Sequence, residues 1–261
     1  RIHRFEPSTG MHQSFETPDF VTSIGLRADG GFVVGLTKEV TLWDGESDFR
    51  TLAFIEPDNP ANRLNEGVVG PDGGFWVGTM QNNIAADGSP SEITTSAGRL
   101  YRVKLDGSVT RVAEEFFGIT NTMAWTSDGR FLTADTPANE IYCYAVAPDG
   151  TLDKRQTILA DYPRGLPDGS ALDSEGHLWN CRVVGGACLI RLSVDGAVER
   201  VIDLPCTWPT SCAFGGPDLS TLFVSSARFT MTESHLAQNP QEGGLFAVTT
   251  PFRGRKTHRM S

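Results

Sequence analysis

The stretch Asn65–Val77, NEGVVGPDGGFWV, decides the fold. It opens on a polar residue, runs through apolar positions, turns at Asp72-Gly73 and re-enters an apolar run. That is a strand, a tight turn and a second strand, and Asp-Gly turns suit such a hairpin. The pattern recurs as TSIGLRADGGFVV from Thr22, NTMAWTSDGRFLT from Asn121, DGSALDSEGHLWN from Asp168 and SCAFGGPDLSTLFV from Ser211. In each copy an acid follows the opening residue by seven positions: Asp29, Asp72, Asp128, Glu175 and Asp218. Starting at 22, 65, 121, 168 and 211, the copies lie 43, 56, 47 and 43 residues apart. A period of about 40 to 50 residues with several strands per unit is the signature of a β-propeller.

In a propeller the first strand of each unit lines a central channel, so equivalent positions face one axis. Thr22, Asn65, Asn121, Asp168 and Ser211 share that register, and all carry side-chain oxygens. A ring of oxygens suits a hard divalent cation, although such residues also start strands and cap turns. Asp168 is the ring's only carboxylate, able to ligate a metal or to take a proton from metal-bound water. A bound divalent cation acidifies water and polarises a carbonyl, as ester hydrolysis requires. Arg63, two residues before Asn65, leans to the same side of the strand. With Asn65 it is placed to bind substrate hydroxyls or a carbonyl. Glu66 is expected to point the other way.

The 261 residues include 28 glycines and 15 prolines, as a turn-rich all-β chain would. A repeat spanning most of the chain argues for one closed domain, residues 1–261. A formal net charge of −10 disfavours nucleic acid and anionic membranes as partners. No apolar run reaches the roughly 18 residues of a membrane span, and RIHRFEPSTG has no signal-peptide apolar core. Cys143, Cys181, Cys188, Cys206 and Cys212 form no CxxC pair and read as reduced thiols in a cytoplasmic protein. There is no GxSxG or HExxH motif, and the five histidines (His3, His12, His177, His235, His258) are not spaced as a metal pair.

Residues 1–20 read as the outer half of a blade, with no inner hairpin before them. Five inner hairpins fit five blades, or six with one inner hairpin missing; the half blade favours the second, so the expected architecture is an all-β, six-bladed β-propeller whose first inner hairpin is missing. Its last strand, GGLFAV, is expected to pair beside the N-terminal strands, which removes free edges. The polar insertion 81–98 is expected over one channel mouth, and the basic tail FRGRKTHRMS is expected to fray.

NRLNEGVVGPDGGFWVGTM, GITNTMAWTSDG, LPDGSALDSEGHLW, CAFGGPDLSTLFVSSAR and EGGLFAV occur in an order that resembles the family of senescence marker protein, gluconolactonase and luciferin-regenerating enzyme. The resemblance covers nearly the whole chain. It implies a six-bladed propeller with one axial divalent ion and, in most characterised members, sugar-lactone hydrolysis. Carried over by motif, Asn121 and Asp168 fall on two of three protein metal ligands. Asp168 also falls on the proposed general base, and Arg63, Asn65 and Asn83 fall on substrate-contacting positions. The third ligand, a glutamate in a GEGP motif, has no counterpart here. Either a segment of roughly 30 residues precedes Arg1, or this member has lost that strand; the open edge of a half blade favours the first. Thr122 replaces the usual glycine, and Glu66 the usual aspartate. The resemblance thus implies a lactonase acting on a small sugar lactone with calcium, zinc, manganese or iron. Another metal-dependent hydrolase, such as a phosphotriesterase, and a non-catalytic calcium-binding propeller stay open.

Overall fold

The computed structural model describes residues 1–85 and 87–261; Ala86, within the expected insertion, lies outside them. Its regular secondary structure is almost entirely strand. β1 (Ile2–Glu6) and β2 (Met11–Phe15) form a separate two-stranded antiparallel sheet. Blade one holds β3 (Ser23–Arg27), β4 (Phe32–Gly35), β5 (Glu39–Trp43) and β6 (Phe49–Phe54). Blade two holds β7 (Asn62–Val69), β8 (Phe75–Gln81), β9 (Leu100–Val103) and β10 (Val109–Arg111). Blade three holds β11 (Thr120–Trp125), β12 (Phe131–Asp135), β13 (Glu140–Val146) and β14 (Leu152–Ala160). Blade four holds β15 (Leu166–Leu172), β16 (Leu178–Val183), β17 (Cys188–Leu192) and β18 (Val198–Asp203). Blade five has three strands, β19 (Pro209–Gly215), β20 (Thr221–Ser226) and β21 (Leu245–Thr249), with the short helix α1 (Glu233–Gln238) between the last two.

Each quoted repeat is the first hairpin of a blade, and the turn glycines Gly30, Gly73, Gly129 and Gly176 have φ between 74° and 99°. Such positive φ costs glycine little. The middle strands β12 and β16 are buried along their whole length because neighbouring blades cover both faces. The outermost strands β10, β14 and β18 are largely exposed. Between blades two and three, Trp76 and Trp125 meet edge to face with ring centroids 4.7 Å apart, and Phe131 packs against both. Aromatic pairs of this kind add stability beyond the area they bury. Trp179, Phe214 and Phe252 do the same between blades four and five.

Three expectations need correction. The structure has five blades and a two-stranded sheet, not six blades. The strand within GGLFAV, β21, pairs antiparallel with β20, completing blade five rather than joining β1 and β2. The polar segment 229–242 and α1 fold back between β20 and β21, which lets them meet. The C-terminal tail does not fray. Its strand β22 (Arg259–Met260) pairs parallel with β3. The Gly254 N–H donates to the Leu219 carbonyl at 2.8 Å, and Ser174 N–H donates to the Arg253 carbonyl at 2.7 Å. Ala28 N–H donates to the Met260 carbonyl at 2.9 Å, and the Met260 side chain sits in the core between blades one and two. A composition that reads as frayed is held by backbone bonds and one buried methionine.

Candidate active site

Inner strands β7, β11, β15 and β19 each carry a register shift, located at Leu64–Gly67, Asn121–Ala124, Pro167–Ser170 and Pro209–Ser211. A bulge leaves an extra residue unpaired and re-aims side chains. In β7 it allows the consecutive Asn65 and Glu66 to face the axis. Neighbouring inner strands approach closely enough that a Cβ on Gly169 would lie 2.5 Å from Ser211 Oγ, and one on Gly67 2.6 Å from Ser23 Oγ.

The axial channel encloses about 890 Å³, and all five ring residues line it: Thr22, Asn65, Asn121, Asp168 and Ser211. Arg63 and Asn83 line it too, as does Ile93 from the insertion after β8, which therefore lies at the channel mouth as expected. None of the histidines lines the channel.

A chain of hydrogen bonds links three blades across the ring. Arg63 Nε and Nη2 donate to Asn83 Oδ1 at 3.1 and 2.8 Å, and Nη1 donates to Asn65 Oδ1 at 2.9 Å and the Leu64 carbonyl at 2.7 Å. Asn65 Nδ2 donates to the Thr120 carbonyl at 2.8 Å and to Asn121 Oδ1 at 3.1 Å. Asn121 Nδ2 donates to Thr136 Oγ1 at 2.8 Å, and that hydroxyl donates to the Pro167 carbonyl at 2.7 Å. Both amides are thus oriented before any ligand arrives.

Asp168 is held from behind. Its backbone carbonyl accepts the Thr122 hydroxyl at 2.5 Å and Asn180 Nδ2 at 3.0 Å. Asn180 Nδ2 also reaches Ser170 Oγ at 2.9 Å and Thr122 Oγ1 at 3.1 Å. Arg182, fully buried, donates to Asn180 Oδ1 and to the Arg164 and Gly165 carbonyls. Thr122 occupies the left-handed region with φ 54°, where its hydroxyl can turn toward β15. No pattern in the sequence marks Thr136, Ser170, Asn180 or Arg182 as members of this network.

Glu66 is the main departure from expectation. A regular two-residue alternation points it away, but the β7 bulge brings it into the channel beside Asp168. Gly67 immediately after it is the one local hint, since glycine often marks a bulge. Both acids keep some accessible surface because they line a deep channel, yet protein surrounds them. Burial pushes the Glu66 carboxyl up to about 7, opposed by the Gly67 N–H. Burial also pushes Asp168 well above the usual carboxylate range, and the neighbouring Glu66 adds to this against the opposing pull of Arg63. Arg63 itself is lowered to about 10 by burial.

Two acids surrounded by protein, with no cation within hydrogen-bonding distance among the described residues and flanked by amide oxygens, are a donor set fitted to a hard divalent ion. Among the described residues no group of three His, Cys, Asp or Glu side chains clusters as a metal site. An ion here would therefore rest on Asp168 and Glu66 together with the amide oxygen of Asn121.

The profile of the SMP-30/gluconolactonase/LRE-like region matches residues 1–228. The chain is similar to a 6-deoxy-6-sulfogluconolactonase of Pseudomonas putida, 34% identical over 97% of this chain and 85% of that protein. It is similar to a pentonolactonase of Haloferax volcanii, 35% identical over 99% of this chain and 86% of the other. Among solved structures it resembles regucalcin, a calcium-binding protein of Agrobacterium tumefaciens. The TM-score is 0.89 and the identity 27%, covering 99% of this chain and 85% of that one. Sequence, blade arrangement and axial channel agree: the chain belongs to the SMP-30/gluconolactonase/LRE-like family.

Proposed function

We propose that the protein is a metal-dependent hydrolase that opens the lactone of a sugar acid. The observation that carries this reading is the pairing of Asp168 and Glu66 at the axis, beside oriented amides and one arginine. Two relatives above 30% identity named as lactonases support it.

A divalent ion at the axis would polarise the lactone carbonyl and make bound water more acidic. Asp168 accepts the proton of the attacking water, as a general base held in place through its own backbone carbonyl. Asn121 and Asp168, with Glu66, would hold the ion. Arg63, Asn65 and Asn83 bind substrate hydroxyls and set the ring over the two acids. Calcium, zinc, manganese and iron all suit such oxygen donors; the calcium-binding regucalcin relative supports the first.

Residues 1–261 are read as one domain that takes in the β1–β2 sheet. Packing of Ile2 and Phe15 against Trp43 and Val34 of blade one supports that placement. All five cysteines are free and buried, in keeping with a cytoplasmic setting.

Asp168→Asn keeps the shape and removes the base. It is expected to lower kcat for an aldonolactone by about a thousandfold with circular dichroism unchanged. Full activity in a folded Asp168→Asn protein would refute the mechanism. Stoichiometric calcium with no turnover of any lactone would instead favour a non-catalytic calcium-binding propeller.

A further inference from the structure

The channel wall is not uniform. Both halves are mixed: beside polar residues, blades one and two contribute Ile24, Met80 and Ile93, and blades four and five contribute Leu166, Val184, Trp208 and Phe229. Among the described residues that line the channel, Arg63 is the only cationic side chain. Four of its five N–H groups are already engaged by Asn83, Asn65 and the Leu64 carbonyl. One N–H remains, enough for a hydroxyl but not for the forked pairing that holds a carboxylate, sulfonate or phosphate. Two arginines beside β15 and β16 are occupied elsewhere. Arg182 is buried against carbonyls, and Arg164 pairs with Asp203 at 2.7 Å and with the Gly186 and Ala187 carbonyls. A net charge of −10 adds a field that disfavours anions.

Val184 stands out among the apolar lining residues. It follows β16 in the turn to β17, has φ 54° and is 49% exposed. A β-branched residue in the left-handed region is strained, and such strain gathers where a site needs it. Glycine or asparagine would carry this backbone more easily, and either would be less apolar.

We propose that the site takes an uncharged lactone whose end distant from the ring carbonyl is apolar, such as the methyl group of a 6-deoxyaldonolactone, and that Val184 is a specificity-determining contact for that group. The proposal rests on the lactonase reading and sharpens it. The distal carbon meets Val184 and its apolar neighbours, while the ring hydroxyls face Arg63, Asn65 and Asn83.

The test uses the full chain loaded with a divalent metal and three hexonolactones of one ring size and configuration. They differ only at C6, carrying methyl, hydroxymethyl or phosphorylated hydroxymethyl. A four-carbon aldonolactone with no distal group reports hydrolysis alone. The expected kcat/KM for the methyl compound exceeds that for the hydroxymethyl compound about tenfold, the scale on which an apolar pocket discriminates. The phosphorylated compound is expected about a hundredfold or more below either, because its charge would be desolvated without a partner. Val184→Asn, which tolerates the same backbone, is expected to bring the methyl-to-hydroxymethyl ratio close to one. Equal or faster turnover of the phosphorylated lactone would overturn the proposal, as would a ratio unmoved by Val184→Asn. If the four-carbon lactone also resists, the lactonase reading itself fails and takes this proposal with it.

Discussion

Glu66 and Asp168 are two acids packed at one point of the axis, and their environment makes both reluctant to ionise together. An acid whose carboxyl titrates higher in the folded chain than in the unfolded one favours folding while it is protonated. Its contribution is complete below the unfolded value near 4.5 and disappears as pH rises through about 7. The metal-free protein is therefore expected to lose on the order of 2 kcal/mol of stability between pH 5 and pH 8. Glu66→Gln should flatten that slope, and added divalent metal should restore the wild-type protein at pH 8. Urea unfolding at the two pH values, with and without a chelator, measures this. Parallel slopes in wild type and Glu66→Gln would show that the carboxyl is not the source. At this scale the sequence was partly readable. Asp168, Asn121 and Asn65 could be placed from register alone, because they share one offset from a turn, and Arg63 from its two-residue spacing to Asn65. Glu66 could not, since strict alternation sends it to the opposite face.

The inner strands explain that difference. Hairpins and their turns are local and repeat, so Asp72-Gly73 and its counterparts declare them. A bulge is a mismatch between two strands, and neither strand announces it alone. The β7 bulge brings the neighbours Asn65 and Glu66 to the axis together, and Thr122 shows what the distortion in β11 accomplishes. Its left-handed backbone aims a hydroxyl from β11 at the Asp168 carbonyl on β15. Thr122→Gly would relieve the backbone while removing that bond. Melting temperature is expected to hold or rise, while kcat on the lactone falls about tenfold, near 1.4 kcal/mol. Thr122→Ser keeps the hydroxyl and should retain most of the rate. If glycine and serine variants turn over alike, the hydroxyl has no part in holding Asp168.

Across the whole molecule, closure depends on the last dozen residues. The segment after β21 passes Leu219 of blade five and Ser174 of blade four, then ends on β3 and beside Gly73. Met260 anchors it with 1% of its surface exposed. Met260→Ala is expected to cost about 2–5 kcal/mol, read by denaturant unfolding, without changing the metal site's affinity. A stability change within error would mean that the backbone bonds alone secure the tail. Composition hid this role, because arginine, lysine and histidine in FRGRKTHRMS read as solvent-facing and the decisive methionine is a single residue. The number of blades was likewise beyond local reading, since pairing of β21 with β20 depends on how the polar connection folds back. The contact between Trp76 and Trp125 also supplies an optical handle on the assembly. Two indoles 4.7 Å apart mix their electronic transitions, so the far-ultraviolet spectrum should carry an exciton couplet. Its loss on heating, followed beside the bulk strand signal, would date the parting of those two blades against the melting of the rest.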